Sequence, residues 1–163
     1  MMNSNIDKTC FFTGHRIIPN AHRAILTRDT RLVAQTLIAE YGVTDFIAGG
    51  ALGFDTLAAT QILMLRRQFG DIRLHLYLPC RDQSRLWTNA EQEAWQIIAE
   101  NADDILYVTD SDYVTGCMQK RNKAMVNDAA YGIVYLTRGR SGTQQTTAYA
   151  KELGRRLIML PLS

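Results

Sequence analysis

The sequence has few of the residues that mark disulfide-stabilised, zinc-binding or membrane proteins. Its three cysteines, Cys10, Cys80 and Cys117, are too few and too far apart for a disulfide framework or a zinc site. No apolar run approaches the roughly 18 residues that a membrane helix needs. The opening MMNSNIDKT also lacks the apolar core of a signal peptide. These absences predict a cytoplasmic protein with reduced thiols, no metal and no membrane partner.

The sequence also lacks a large excess of either charge, because it contains 18 Lys and Arg residues and 16 Asp and Glu residues. A formal net charge of +2 does not indicate a nucleic-acid binder, although it does not exclude one. We find no linker, internal repeat or low-complexity segment. A chain of 163 residues, 47% of them hydrophobic, therefore fits one globular domain over residues 1–163.

What the sequence does contain is an alternation of short apolar runs and longer amphipathic stretches. The runs predict strands at 9–13, 45–48, 72–78, 105–109, 133–137 and 157–160. The stretches predict helices at 26–39, 56–69, 89–100, 118–130 and 143–153. We expect Thr88 or Asn89 to cap the third helix, and Gly42 and Gly154 to end the first and last helices.

Near-continuous apolar strands that alternate with helices are typical of a parallel sheet covered on both faces. We therefore predict an α/β fold, namely a Rossmann-like, doubly wound, mostly parallel open sheet flanked by helices. In such sheets, ligands bind outside the carboxyl ends of the strands. Four loops that follow predicted strands are the candidates for a ligand site.

The first candidate loop, residues 13–16, directly follows the first predicted strand. It consists of Thr13, Gly14, His15 and Arg16. The glycine allows close approach of a ligand, and the arginine can bind a phosphate or carboxylate. A tight turn with a solvated arginine is about equally consistent with the sequence. His15 has no evident partner in the sequence, so we expect it to contact the ligand or support the structure rather than act as an acid or base.

The second candidate loop lies between the second strand and its helix. It consists of Gly49, Gly50, Ala51, Leu52 and Gly53. Three glycines at a helix N-terminus expose backbone N–H groups, which favours an anion. The loop is neither a P-loop nor a regular GxGxxG motif. Asp55 is expected either to cap the helix or to bind a sugar hydroxyl, because a carboxylate would repel a nearby phosphate.

The third candidate loop, residues 116–122, runs into the fourth helix, and the fourth candidate loop, residues 140–143, leads into the fifth helix. Arg121 and Asn122 lie early in the fourth helix, where they either point at the ligand or belong to a solvated basic surface. The turn Arg140-Ser141-Gly142-Thr143 precedes the fifth helix and is either a second anion-binding loop or an ordinary N-cap. The recurrence of such loops after successive strands is a stronger signal than any one of them.

A segment after the third strand is expected to form a wall of the same pocket. Gln83 and Trp87 are its predicted ligand contacts. A tryptophan is more often a core residue than a stacking platform, so Trp87 has both interpretations.

Four motifs in sequence order carry a resemblance to a known family. CFFTGHR, GGALGFD, GCMQKRNKAMV and SGTQQTTAYA resemble the YpsA-like family of the SLOG superfamily, from Cys10 to about Pro161. The superfamily includes the DNA-processing protein DprA and the LONELY GUY phosphoribohydrolases. The resemblance implies a sensor or binding module for a nucleotide or nucleotide-derived ligand, such as ADP-ribose. It also implies that the four loops surround one ligand.

The chain departs from the family pattern at several positions. Asn127 and Ala130 occupy positions that are often acidic, and Ser141 replaces the first glycine of a Gly-Gly-Thr turn. The phosphoribohydrolases carry a catalytic glutamate where this chain has Gln145, and an amide cannot act as a general base. We therefore predict ligand binding without catalytic residues and without an assigned cofactor.

Two alternatives stay open at this stage. One is a phosphoribohydrolase or N-glycosidase in which Asp55 replaces the missing carboxylate. The other is a DprA-like binder of single-stranded DNA, which the modest net charge of +2 disfavours. A homodimer is compatible with the sequence, since such sheets commonly dimerise.

Overall fold

The computed structural model describes residues 5–137 and 141–162, and Arg140 of the fourth candidate loop lies outside them. The strands in these ranges are β1 (Thr9–Gly14), β2 (Asp45–Ala48), β3 (Arg73–Leu78), β4 (Asp104–Tyr107), β5 (Tyr131–Tyr135) and β6 (Arg156–Leu160). The helices are α1 (Asn20–Tyr41), α2 (Phe54–Leu65), α3 (Asn89–Asn101), α4 (Cys117–Asn127) and α5 (Gly142–Glu152).

The strands form one sheet in the order β4-β3-β2-β1-β5-β6, and every pairing in it is parallel. The chain builds outward from β1 to β4 and then returns through α4 to place β5 on the other side of β1. The direction of strand order therefore reverses between β1 and β5. This topology confirms the predicted Rossmann-like fold and locates its ligand-binding switch point at these two strands.

Two apolar clusters cover the two faces of the sheet. Adjacent residues Phe11 and Phe12 of β1 point to opposite faces, as the pleat of a strand requires. Phe12 packs with Phe46 and Phe54 in the larger cluster, which includes buried residues of α1, α2 and α3. Phe11 belongs to the smaller cluster with Met125 of α4 and residues of α5. Helices on both faces confirm the doubly wound arrangement.

Some element boundaries differ from the predicted ones. β4 ends at Tyr107 instead of 109 because its partner β3 ends opposite at Leu78, so no further strand pairing is available. α2 starts at Phe54 and ends at Leu65, and the predicted last turn becomes a series of bends in which the Phe69 N–H still bonds the Leu65 carbonyl at 2.8 Å. Hydrophobic spacing does not distinguish such turns from continuing helix.

The predicted helix ends are largely confirmed. Gly42 and Gly154 both have a φ of +71°, a left-handed conformation that glycine adopts without strain. Thr88 is the N-cap of α3, and its hydroxyl accepts a hydrogen bond from the Glu91 N–H at 3.2 Å. The Glu91 carboxylate in turn accepts from the Thr88 N–H at 2.9 Å, which completes a capping box.

Within the described ranges, no helix combines the length and hydrophobicity that crossing a bilayer requires. Cys10, Cys80 and Cys117 are all buried and carry free thiols. Burial raises the pKa of the Cys80 thiol to about 11, so this group stays protonated at neutral pH and is not an activated nucleophile.

The capping box provides a test of the fold near the candidate wall segment. We expect Thr88→Ala to lower the free energy of unfolding by about 1 kcal/mol, because the Glu91 N–H loses its acceptor. Thr88→Ser keeps a hydroxyl at the cap and serves as the matched control. Urea denaturation measures both variants, and equal stabilities for them would contradict the assigned cap.

Candidate functional site

A cavity of about 350 Å³ lies at the switch point of the sheet, beyond the carboxyl ends of β1 and β2 and against the starts of α4 and α5. Parallel strands bring the loops that follow them to one edge, which explains why segments distant in sequence meet here. The predicted residues that line this cavity are Thr13, Gly14, His15, Arg16, Ala51, Asp55, Arg121, Asn122, Ser141, Gly142 and Thr143. All four candidate loops therefore contribute to one cavity.

Arg121 is buried beneath this cavity, and only 5% of it is exposed. Its Nη1 donates to the carbonyl of Gly49 and, at 3.4 Å, to the carbonyl of Tyr77. Its Nε donates to Asn122 Oδ1 at 2.8 Å. Burial lowers the pKa of the guanidinium, and the nearby Asp55 carboxylate acts in the opposite direction. The side chain thus joins α4 to the ends of β2 and β3.

Asp55 approaches Gly49 at the same point as Arg121. A Cβ added to Gly49 would lie 2.6 Å from Arg121 Nη1 and 2.8 Å from Asp55 Oδ2. The two charged groups therefore pack so closely against this residue that only glycine fits. Asp55 Oδ2 accepts a hydrogen bond from the Ala51 N–H at 3.2 Å. The expected capping of α2 by Asp55 is wrong, because Gly53 is the N-cap and no side chain caps this helix.

Burial raises the Asp55 pKa from its usual 3.8 to about 6. The positive charge of Arg121, the Ala51 N–H bond and the charge of Arg16 all lower this pKa, but they do not cancel the loss of hydration. The carboxyl therefore changes its charge near neutral pH, inside a cavity that also holds two arginines.

The glycines of the second candidate loop allow close packing of neighbouring segments and do not expose their backbone N–H groups to the cavity. Gly49, Gly50 and Gly53, with Leu52, do not line the switch-point cavity. Gly53 has a φ of +78°, and a Cβ there would overlap the backbone carbonyl of Arg16. The Phe54 N–H donates to the His15 carbonyl at 3.1 Å. The N-terminus of α2 is therefore occupied by the first candidate loop.

The N-terminus of α5 is more open than that of α2. Ser141 is the N-cap, and its hydroxyl accepts from the Gln144 N–H at 3.1 Å. Both Gly142 and Thr143 line the cavity. The nearest atom to a Cβ added at Gly142 would be Asn122 Nδ2 at 3.9 Å, so there is free space above this residue. The partial positive charge of the helix start faces this space.

His15 and Arg16 of the first candidate loop both line the cavity. His15 Nε2 accepts a hydrogen bond from the Thr137 N–H at 2.8 Å, so this nitrogen is unprotonated and supports the loop after β5. The Arg16 side chain is exposed and has neither a hydrogen bond nor an ion pair with any residue of the described ranges. Its guanidinium is therefore available to a ligand.

Gln83 and Trp87 lie in an adjoining second cavity of about 300 Å³ instead of the first. Gln83 Nε2 donates to the carbonyl of Gly50 at 3.0 Å, which fixes the wall segment to the second candidate loop. Trp87 packs edge-to-face on Trp95, with ring centroids 6.4 Å apart. Arg16 and Met118 line both cavities and mark their boundary.

Sequence reasoning missed two lining residues, Met118 and Met125. Both methionines lie in the predicted fourth helix, but neither is among the predicted ligand contacts. The signal was available, since residues 118, 121, 122 and 125 share one face of a helix. Flexible thioether side chains adapt to ligands of varied shape, so this face of α4 gives the cavity an apolar wall.

A third cavity of about 370 Å³ is slightly larger but lies between α1 and β6, away from the switch point. It is lined mostly by aliphatic and aromatic side chains. Its one arginine, Arg156, lies over the Tyr131 ring, with the guanidinium carbon 5.9 Å from the ring centroid. Size alone does not identify a site, and we assign the candidate site to the cavity with the arginines and the helix start. In the described part of the chain, no cluster of His, Cys, Asp or Glu could hold a metal ion.

The raised pKa of Asp55 predicts a stability effect. The Asp55 carboxyl holds its proton more tightly in the native state than in the unfolded state. The free energy of unfolding therefore falls as the pH rises from about 4 to about 6, and it stays at the lower value above pH 6. Asp55→Asn mimics the protonated form, and we expect it to stabilise the protein by up to about 3 kcal/mol at pH 8 and by only about 1 kcal/mol at pH 4.5.

Chemical denaturation at the two pH values measures this difference. Asp110→Asn is the control, because that carboxylate is 79% exposed. A destabilised Asp55→Asn variant at pH 8 would mean that the Asp55 charge supports the native state.

Comparisons with solved structures agree with the fold. The chain is similar to DNA processing protein A from Helicobacter pylori, a protein with a single-stranded DNA binding mode, with a TM-score of 0.69 and 19% identity over 98% of this chain and 67% of that one. It is also similar to DNA processing protein A from Streptococcus pneumoniae, with a TM-score of 0.70 and 19% identity over 99% of this chain and 53% of that one.

Sequence comparisons identify the family. The chain is 30% identical over 142 residues to the uncharacterized SPbeta prophage-derived protein YoqJ of Bacillus subtilis strain 168, covering 78% of this chain and 82% of that protein. The model of the YpsA family, described as the YspA SLOG family, matches residues 26–153. These matches confirm the resemblance seen in the four motifs, and the chain belongs to the YpsA family of SLOG proteins.

Proposed function

We propose that the switch-point cavity binds the phosphate of a nucleotide or nucleotide-derived ligand and that the protein acts as a binding or sensing module. The observation that supports this most is the meeting of Arg16, Arg121 and the N-terminus of α5 in one cavity. A phosphate is favoured where guanidinium groups and a helix start converge. ADP-ribose and NAD are members of the same ligand class.

The two arginines have different tasks in this proposal. Arg16 is exposed and its side chain makes no hydrogen bond or ion pair within the described residues, so it can form a direct forked contact with a phosphate. Arg121 uses its Nη1 and Nε for hydrogen bonds to Gly49, Tyr77 and Asn122, which fix its position, and its charge adds a positive potential to the cavity that it lines. A buried charge acts over a longer distance than an exposed one because water screens it less.

The start of α5 provides the second part of the anion site. The Ser141 hydroxyl already satisfies the Gln144 N–H, while Gly142 and Thr143 line the cavity. Backbone N–H groups in the first turn of a helix have no partner within the helix. We therefore expect the phosphate to lie against Gly142 and Thr143, and not on the glycines of the second candidate loop.

Hydrolysis of an N-glycosidic bond is a second candidate, which the pKa of about 6 at Asp55 favours. A carboxyl with this pKa can exchange protons near neutral pH. Glycosidic cleavage normally uses two carboxyl groups, however, and Asp55 is the one carboxylate that lines the cavity in the described residues. Gln145 lines a separate small cavity. Binding is therefore better supported than turnover.

Binding of single-stranded DNA has less support. Two exposed cations near the cavities, Arg81 and Arg85, are already paired with acids: Arg81 with Asp110 at 2.5 Å and Arg85 with Asp82 at 2.8 Å. Such pairs leave little uncompensated positive charge for a phosphate backbone.

A change at the start of α5 tests the proposed phosphate site. We expect calorimetry to give micromolar affinity for AMP and measurable affinity for ribose 5-phosphate, and Gly142→Asp to weaken both at least about tenfold by repulsion. The substitution should preserve the fold, because the site has free space and an acidic residue suits a helix start.

Gly70→Asp is the matched control for this change in charge. A Cβ at Gly70 would also meet no atom within 4 Å, and the residue does not line the switch-point cavity. We expect this variant to bind both compounds as the unmodified protein does. Absence of binding by the unmodified protein, or equal effects of the two substitutions, would contradict the proposed phosphate site.

Turnover distinguishes the second candidate. We expect no release of adenine from AMP and no release of nicotinamide from NAD when each is incubated with the protein and analysed by chromatography, because the cavity lacks a second carboxyl among the described residues. Release of either base that Asp55→Asn abolishes would instead establish an N-glycosidase.

A further inference from the structure

We infer that the second cavity, next to the switch-point cavity, holds the nucleobase of the same ligand, stacked against Trp87 and Tyr113. This inference rests on the proposed function, since it takes the phosphate position as given. It makes the ligand a complete nucleotide, recognised at two ends, and not a sugar phosphate alone.

The two cavities adjoin at Arg16 and Met118, which line both. They measure about 350 Å³ and about 300 Å³. Binding sites for cofactor-sized ligands usually span roughly 300–1,000 Å³. A phosphate fills only part of the first cavity, and a ligand anchored there that extends past Arg16 enters the second cavity.

The second cavity carries aromatic rings on its wall. Trp87 is held edge-to-face against Trp95, at an interplanar angle of 77°, so its ring has a fixed orientation. Tyr113 is held through its backbone, whose N–H donates to Asp82 Oδ1 at 2.8 Å. Its side chain is 53% exposed. Flat heteroaromatic rings stack on such side chains without requiring a particular base sequence.

Hydrogen bonds hold the loops that carry these rings in place without a ligand. The Arg81 N–H donates to the Ser111 carbonyl at 2.8 Å, which connects the segment after β3 to the segment after β4. Asp82 also accepts from Arg85 Nη1 at 2.8 Å, in addition to the Tyr113 N–H. A preformed cavity loses less conformational entropy when a ligand binds.

The apolar exposure at the mouth of this cavity also favours a ring as the occupant. Leu86 is 85% exposed and lines the cavity beside the half-exposed Tyr113. Of the polar groups there, Asp82 is engaged by Arg85 and by the Tyr113 backbone, whereas Gln83 Oε1 has no hydrogen-bond partner among the described residues. A flat, mostly apolar ring covers such side chains better than a second phosphate does.

Comparison of AMP with ribose 5-phosphate tests the inference, because the two compounds differ in the base but share the phosphate. We expect calorimetry to show that AMP binds at least about tenfold more tightly, as stacking on aromatic side chains provides. Tyr113→Ala should weaken AMP binding about fivefold or more and leave the affinity for ribose 5-phosphate within about twofold.

Tyr41→Ala is the matched control. Tyr41 is 54% exposed, almost the same as Tyr113, but it lines the apolar cavity between α1 and β6. We expect it to leave the binding of both compounds unchanged. A general loss of stability would affect both variants and both compounds, whereas loss of a base contact affects only AMP with Tyr113→Ala.

Tryptophan fluorescence provides a local readout, because the chain has only two tryptophans. In Trp95→Phe, Trp87 is the one emitter, and we expect AMP to change its emission while ribose 5-phosphate does not. If both compounds bind equally and neither Tyr113→Ala nor the emission distinguishes them, the base does not occupy this cavity, although the phosphate site stands. If neither compound binds, the proposed function fails and this inference fails with it.

Discussion

The hydrogen bonds from Arg121 to the carbonyl oxygens of Gly49 and Tyr77 hold the ends of β2 and β3 against α4. A guanidinium in the interior must have its N–H groups paired, and this requirement organises the residues around it. Gly49 leaves the necessary space, and the Asp55 carboxyl lies close to the same bare glycine, where its charge acts on the guanidinium. The floor of the cavity is therefore a charged assembly built on one bare glycine.

Two helix starts at the same edge of the sheet have different surroundings. The backbone of Arg16 packs against Gly53 at the start of α2, and the Phe54 N–H is already bonded. The start of α5 has space above Gly142 and faces the cavity. Because Arg16 lines both cavities, we propose an anion near α5 and a longer ligand that continues towards Trp87.

The sequence was sufficient for the fold because the strands are buried on both faces, and β2 was predicted at its observed bounds, Asp45–Ala48. Loop position after the strands also identified residues that share one cavity, such as Arg16 and Thr143. It could not show that Gly53 is needed for a close backbone approach, or that Gln83 and Trp87 belong to a second cavity. These features depend on contacts between segments distant in the chain, which spacing does not encode.

The central claim is that a phosphate binds where Arg16 meets the start of α5. A crystal structure of the protein with AMP tests it most directly. We expect the phosphate oxygens within hydrogen-bond distance of the Gly142 or Thr143 N–H groups and of the Arg16 guanidinium. A phosphate bound to the glycines of residues 49–53, or AMP in the apolar cavity between α1 and β6, would contradict the account.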